Sequence, residues 1–263
     1  IDDTPSFPDI PAEQIEGLLE DLRRRYREYG VGDRTYLYYR FRLSMYMGRL
    51  DEAGEYLKEF RKLKTDEMSD CSACELNQQV RYLLRIGQDE QALKKAKPIV
   101  EGRQRCAHVP HTTLPFLLLP LQRLGRSEEA ENMREKSYAL IRDNLNFVIQ
   151  FGEHIGYLSV VDPPRALPLL DRHLPQAESH EDPLSRMSFF LNAAALLCKL
   201  ERTGESFVLN LPPASRFYEL ADTPGELRAK LEEEAFATAA ALDKRNGNDY
   251  YSRYGQKLLK ERG

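Results

Sequence analysis

Apolar positions along this chain recur at helical spacing, and the recurrence itself repeats. Three segments finish one apolar-periodic run, turn on a glycine and begin another: "MYMGRLDEAGEYLKEF" (45–60), "LRIGQDEQALKKAKPIV" (84–100) and "QRLGRSEEAENMREKSY" (122–138). The glycines are Gly48, Gly87 and Gly125, separated by 39 and 38 residues, and each is followed five positions later by an alanine: Ala53, Ala92 and Ala130. Glycine ends the first helix of each pair because it accepts the left-handed backbone of a tight inter-helix turn. Alanine fits where two helices cross closely. The acidic residues just past each turn (Asp51, Glu52; Asp89, Glu90; Glu128, Glu129) suit the positive end of the second helix.

The rest of the pattern extends this reading. "PAEQIEGLLEDLRRRYREYG" (11–30) predicts one amphipathic helix before the repeats. A weaker fourth unit spans 145–177, with Ala166 falling 36 residues after Ala130 and Pro163–Pro164 in the first turn of its second helix. A helix over about 183–202 stops at Gly204, and "ESFVLNLPPAS" (205–215) predicts an extended connector. A long helix follows over 224–247, with Pro224 at its first position and Asn246–Gly247 at its end. The tyrosine-rich "RNGNDYYSRYGQ" (245–256) is expected to pack back as a cap.

The Gly-x-x-x-x-Ala signature between helix pairs resembles the tetratricopeptide-repeat family over roughly residues 34–177. The period exceeds that family's usual length of about 34 residues, and several of its signature aromatic positions hold other residues. The resemblance implies an all-α, right-handed α-solenoid of antiparallel helix pairs. Its parts would be a cap at 1–30, repeats over 31–177 and a C-terminal helical cap at 178–263, in one continuous domain. It also implies a concave groove lined by the first helix of each pair. If the register holds, the groove presents Tyr38, Arg42 and Tyr46, then Asn77, Arg81 and Arg85, then Gln122 and Arg123. Arginine makes forked contacts with carboxylates and asparagine can hold a peptide backbone, so the expected partner is a protein or peptide of acidic or C-terminal carboxylate character. The competing reading pairs these arginines with acids of the same chain.

In such an array, successive first helices run side by side, so their N-termini are neighbours. Cys71 and Cys74 head the first helix of the second pair, and "CAHVPH" (106–111) is expected at the head of the first helix of the third. Zinc takes four thiolate or imidazole ligands with partners two to four residues apart within each ligand pair. Cys71, Cys74 and Cys106 with His111 make such a set, with His108 as the alternative fourth ligand. A structural zinc, a set of small buried cysteines and a redox pair are the three readings of this cluster. The redox reading lacks the βαβ setting of a thioredoxin-like motif. Cys198, in "LNAAALLCKL", is expected in the core.

Composition narrows the classes. The chain has 263 residues, 41% hydrophobic and 30% charged, with a net charge of −4, which fits a folded helical protein and gives no global basic field for nucleic acid. No apolar run approaches the roughly 20 residues of a membrane helix. Four cysteines do not suggest a disulfide-stapled fold, and the first residues lack a signal-peptide layout, so a cytoplasmic setting is expected. There is no Gly-rich phosphate loop, Gly-x-Ser-x-Gly elbow or His-Glu-x-x-His motif, and His154, His173 and His180 have no partner legible in the sequence. A non-enzymatic binding scaffold with a structural zinc is the expectation. The alternatives are a thiol-based redox or metal-responsive regulator and the repeat portion of a peptide-responsive transcription regulator. For the last, the basic run Arg23–Arg24–Arg25 with Arg27 is the one feature suited to nucleic acid.

Overall fold

The computed structural model describes every residue except Asp2, Glu205 and Ser206. The first two positions of the expected connector therefore lie outside the described residues. The chain is all-α, 72% helix, with twelve α-helices and no strand among the described residues. It divides into two compact units: Ile1–Thr113 with Lys244–Asn248, and Leu114–Asp243 with Asp249–Gly263.

The first unit holds α1 (Ala12–Glu28), α2 (Arg34–Tyr46), α3 (Leu50–Lys62), α4 (Ser72–Arg85) and α5 (Asp89–Val100). α2 pairs with α3 and α4 with α5. The turns are those the repeat signature predicts. Gly48 and Gly87 take φ of 75° and 74°, which an L side chain resists, and Ala53 and Ala92 are completely buried where the helices meet. One cluster joins α1 to α2 through Ile15, Leu19, Tyr36, Leu43 and Met47. A second joins α2 to α3 through Tyr38, Phe41, Met45, Ala53 and Phe60. Within each helix these residues are spaced by three, four or seven positions, so burying one helix face fixes the pair.

The second unit holds α6 (Leu118–Arg123), α7 (Ser127–Ile141), α8 (Val148–Val161), α9 (Leu167–Glu178), α10 (Pro183–Thr203), most of α11 (Pro224–Asn246) and α12 (Tyr250–Arg262). Gly125 (φ 73°) and the buried Ala130 repeat the turn between α6 and α7. α8 is buried nearly all round and packs along α10, which is buried from Leu184 to Leu197 save the half-buried Ser185 and Arg186. Their approach is set by Gly152 and Gly156. A Cβ on Gly152 would lie 3.1 Å from Phe189 Cα, and one on Gly156 would run into Asn192 Oδ1.

Three differences from the sequence expectations have physical reasons. "CAHVPH" lies in an irregular loop, because Pro110 and Pro115 interrupt any helix there and regular structure resumes as a 3-10 turn at Leu114–Leu117. Pro163–Ala166 forms a separate 3-10 turn ahead of α9. The tyrosine-rich tail forms α12. The buried Asp243 carboxylate accepts the backbone N–H groups of Tyr251 (2.8 Å) and Ser252 (2.9 Å), supplying partners to the orphan donors of that helix start. The helix pairing is established; a continuous solenoid is not.

Candidate metal centre

The loop before α4 is held from below by α2. Arg34 and Glu75, both under 10% exposed, form a forked ion pair with N···O distances of 2.6 and 2.8 Å. Arg34 also donates to Ser69 Oγ (2.7 Å) and lies over the Phe60 ring, 4.4 Å from its centroid. Thr35 Oγ1 donates to Met68 O (2.9 Å). Asp70 closes the support: Oδ2 accepts from Tyr38 OH at 3.1 Å, and Oδ1 accepts the Cys71 N–H at 2.8 Å. Cys71 is then the N-cap of α4, its Sγ accepting the Cys74 N–H at 3.3 Å. The sulfur therefore stands at the positive end of a helix.

The second wall is the loop after α5. Its chain is held by Gln104 N–H to Pro98 O (2.9 Å) and Cys106 N–H to Val109 O (2.9 Å). Two side-chain bonds dock the loop on α4: Ser72 Oγ to Gln104 Oε1 (2.7 Å) and, fully buried, Thr113 Oγ1 to Asn77 Oδ1 (2.8 Å). Val109, at 0% exposure, packs on Ala73 and Ile99 beside Cys74 and Cys106. The outcome is a sulfur cluster. Cys74 Sγ and Cys106 Sγ are 3.5 Å apart, and the sulfurs of Cys71, Cys74 and Cys106 all lie within 4.8 Å of one another.

This spacing fits a thiolate metal set. Zinc–sulfur bonds of about 2.3 Å put tetrahedral sulfurs roughly 3.8 Å apart, inside the observed range. The three thiols are electrostatically unequal. Burial pushes the Cys74 thiol up, reinforced by the Cys71 and Cys106 sulfurs and the Asp70 charge. For Cys106 burial acts the same way but is outweighed by the backbone groups of His108 and Val109 and by the Cys74 and Cys71 thiols, which draw it down. Three thiolates in contact repel; a cation among them removes that obstacle. Neither His108, which is exposed, nor His111, which is half-buried, belongs to the cluster within that distance.

The structure distributes the expected groove residues unevenly. Tyr38 (1% exposed) and Asn77 (4%) are buried, so neither side chain stands on a groove surface; both are spent on the support just described. Arg42 lies over the Tyr38 and Tyr39 rings at 5.5 and 5.6 Å, and Arg81 and Arg85 over Tyr46 at 5.9 and 5.1 Å. Arg85 also donates to Met45 O (2.8 Å). Gln122 is half-buried and Arg123 exposed on α6 in the second unit. The basic run of α1 is matched by acids of the same chain: Arg23 and Arg27 both bind Asp33, while Arg24 and Arg25 bind Asp21. Cys198 is half-buried in α10.

Sequence reasoning missed a buried cluster in the second unit. His154 and His173, both at 0% exposure, meet Ser137 and Tyr138 of α7. His154 Nε2 is 3.3 Å from Ser137 Oγ, which donates to Arg134 O; its Nδ1 has no hydrogen-bond partner. His173 lies between Tyr138 OH (3.0 Å from Nε2) and Gln176 Oε1 (2.8 Å from Nδ1), stacked on Phe151 at 3.6 Å. Burial pushes His154 down to about 3 and His173 down to about 4, so both are neutral. The 17-residue separation of Ser137 and His154 gave no local signal of this contact. No helix of the described residues is long and apolar enough to cross a membrane.

Compared with protein-family models, curated proteins and solved structures, the chain matches none. The tetratricopeptide resemblance therefore rests on its turn signature alone, and the functional argument rests on the cysteine cluster.

Proposed function

We propose that this chain is a non-enzymatic helical-repeat scaffold, its pairs stacked as a tetratricopeptide-like right-handed solenoid, that carries a structural zinc. Cys71, Cys74 and Cys106 hold the ion, with His111 as fourth ligand and His108 as its alternative. The ion staples the start of α4 to the loop that carries Cys106. One observation carries this reading: two segments 32 residues apart bring three sulfurs within 4.8 Å, on backbone already fixed by Asp70, Thr113 and Val109. Zinc there supplies folding energy and no reaction, since a closed four-ligand site leaves no position for a catalytic water.

The test is metal per chain in protein purified without chelators or an affinity metal. One zinc per chain is expected, lost in Cys106→Ser. His111→Ala and His108→Ala separate the two candidate fourth ligands. A reduced chain that takes up no zinc refutes the reading.

A partner belongs to the same proposal: Arg42, Arg81 and Arg85 gather on aromatic rings of α2, and arginine is the side chain best suited to a carboxylate. The ligand class this favours is an acidic or C-terminal peptide. Reversing Arg81 and Arg85 to Glu should abolish its capture, and unchanged capture would remove the groove from consideration.

A further inference from the structure

Resting on the metal reading above, we infer that the centre is also a peroxide-responsive switch: a hydroperoxide joins Cys74 to Cys106 as a disulfide, and the metal leaves. The geometry selects this pair. Their sulfurs are in van der Waals contact at 3.5 Å, and a disulfide needs them at about 2.05 Å, a closure of about 1.5 Å. Cys74 sits in the first turn of α4, whereas Cys106 sits on an irregular loop whose local backbone is tied mainly to itself, through Cys106 N–H to Val109 O. The loop side can supply the movement. Cys71 is the exposed member of the three, so the cluster opens to solvent on that side and a small oxidant can reach it.

The chemistry balances with the oxidant named. One thiolate sulfur attacks the peroxide oxygen, the O–O bond breaks, and a sulfenic acid and water form after protonation. The second thiolate attacks the sulfenyl sulfur, the S–S bond forms, and hydroxide leaves and is protonated to a second water. Two thiolates are oxidised by two electrons, one hydrogen peroxide is reduced to two waters, and two protons are consumed. Two of the four proposed ligands are lost together, and Cys71 with one histidine does not retain the ion.

The docking of the loop survives the step, which makes it reversible. Ser72–Gln104, Thr113–Asn77 and the Val109–Ala73–Ile99 contact involve no sulfur. A dithiol reductant therefore returns two thiolates to nearly the positions they left.

The experiment uses the zinc-loaded full chain with one to two equivalents of hydrogen peroxide. Released zinc is read with a chromophoric chelator, and disulfides are mapped by mass spectrometry without reduction. The expected result is loss of the zinc, a Cys74–Cys106 disulfide, unchanged helix content and full rebinding after dithiol treatment. Cys71→Ser should still form that disulfide, whereas Cys74→Ser should form none. Zinc retained under these conditions, or a Cys71–Cys74 bridge in place of the expected one, overturns the switch. Failure of the reduced chain to bind zinc before any oxidant is added refutes the metal reading instead, so the two failures are distinct.

Discussion

Lowering the pH from 7.5 to 5.0 should cost the second unit about 4 kcal/mol through two residues, His154 and His173. Both are buried and neutral, held down to about 3 and about 4 against an ordinary value of 6.5. Burial is the main cause; Arg134 from α7 and Arg172 from α9 push the same way, and the Glu131 charge at His154 and the Gln176 hydrogen bond at His173 oppose it and are outweighed. A histidine depressed in the fold takes up its proton on unfolding. Its contribution is fully present above pH 6.5 and is lost as pH falls toward the folded value. At pH 5.0 the unfolded form has gained about 1.5 units of driving force per histidine. At about 1.36 kcal/mol per unit this is about 2 kcal/mol each. The window ends at 5.0 because carboxylates held down by ion pairs, such as Glu131 near 2, begin to lose their own stabilisation below it. The assay is hydrogen exchange resolved to peptides covering α8 and α9 in metal-free, reduced protein, converted to opening free energies at each pH. His154→Leu with His173→Phe should remove about 4 kcal/mol of pH-dependent loss, whatever the variant's absolute stability. An identical slope in the double variant and the parent would refute the neutral, buried assignment.

Four further variants have outcomes set by their immediate surroundings. Glu75→Gln strands the buried Arg34 charge and should destabilise the first unit by about 3 kcal/mol in urea denaturation, whereas replacing both partners with apolar residues should cost far less. Gly156→Ala should cost about 1–3 kcal/mol, since its Cβ meets Asn192 Oδ1 and the Arg262 guanidinium in a packed interior. Gly17→Ala, exposed on α1 with nothing within 4 Å, should gain about 0.5–1 kcal/mol, and thermal melts of the two variants check the opposite signs. Asp70→Ala removes the acceptor that fixes the Cys71 backbone and should weaken zinc binding about 10–100-fold by competitive chelator titration, with helix content unchanged.

What could be read from sequence was local. Gly48, Gly87 and Gly125 announce their turns because only a short stretch of chain decides that backbone, and the buried alanines follow one helical turn later. The same locality made α10 and α11 legible through Gly204, Pro224 and Gly247. α12 was missed because its start is completed by Asp243, a side chain seven residues ahead of the helix and on the previous one. The loop at 101–113 was misplaced because its order comes from contacts 32 and 36 residues away, Ser72–Gln104 and Asn77–Thr113, rather than from its own propensity. The His154–Ser137 contact likewise depends on two helices meeting.

The positions expected to face a partner show why the cysteines could be paired in sequence while their setting could not. Tyr38 and Asn77 are polar residues on the first helices of two pairs, and spacing alone gives such residues to a groove. In the fold each is turned inward to hold one wall of the cluster: Tyr38 through Asp70 to the Cys71 backbone, Asn77 through Thr113 to the loop that carries Cys106. A buried polar side chain without a partner is costly, so a sequence keeps one inside only where the partner is in place. Here both partners lie at the cysteine-bearing segments. Loss of either support should therefore loosen the sulfur cluster before it disturbs the helix pairs. The cluster is a feature of the first unit supported from α2 and from α4.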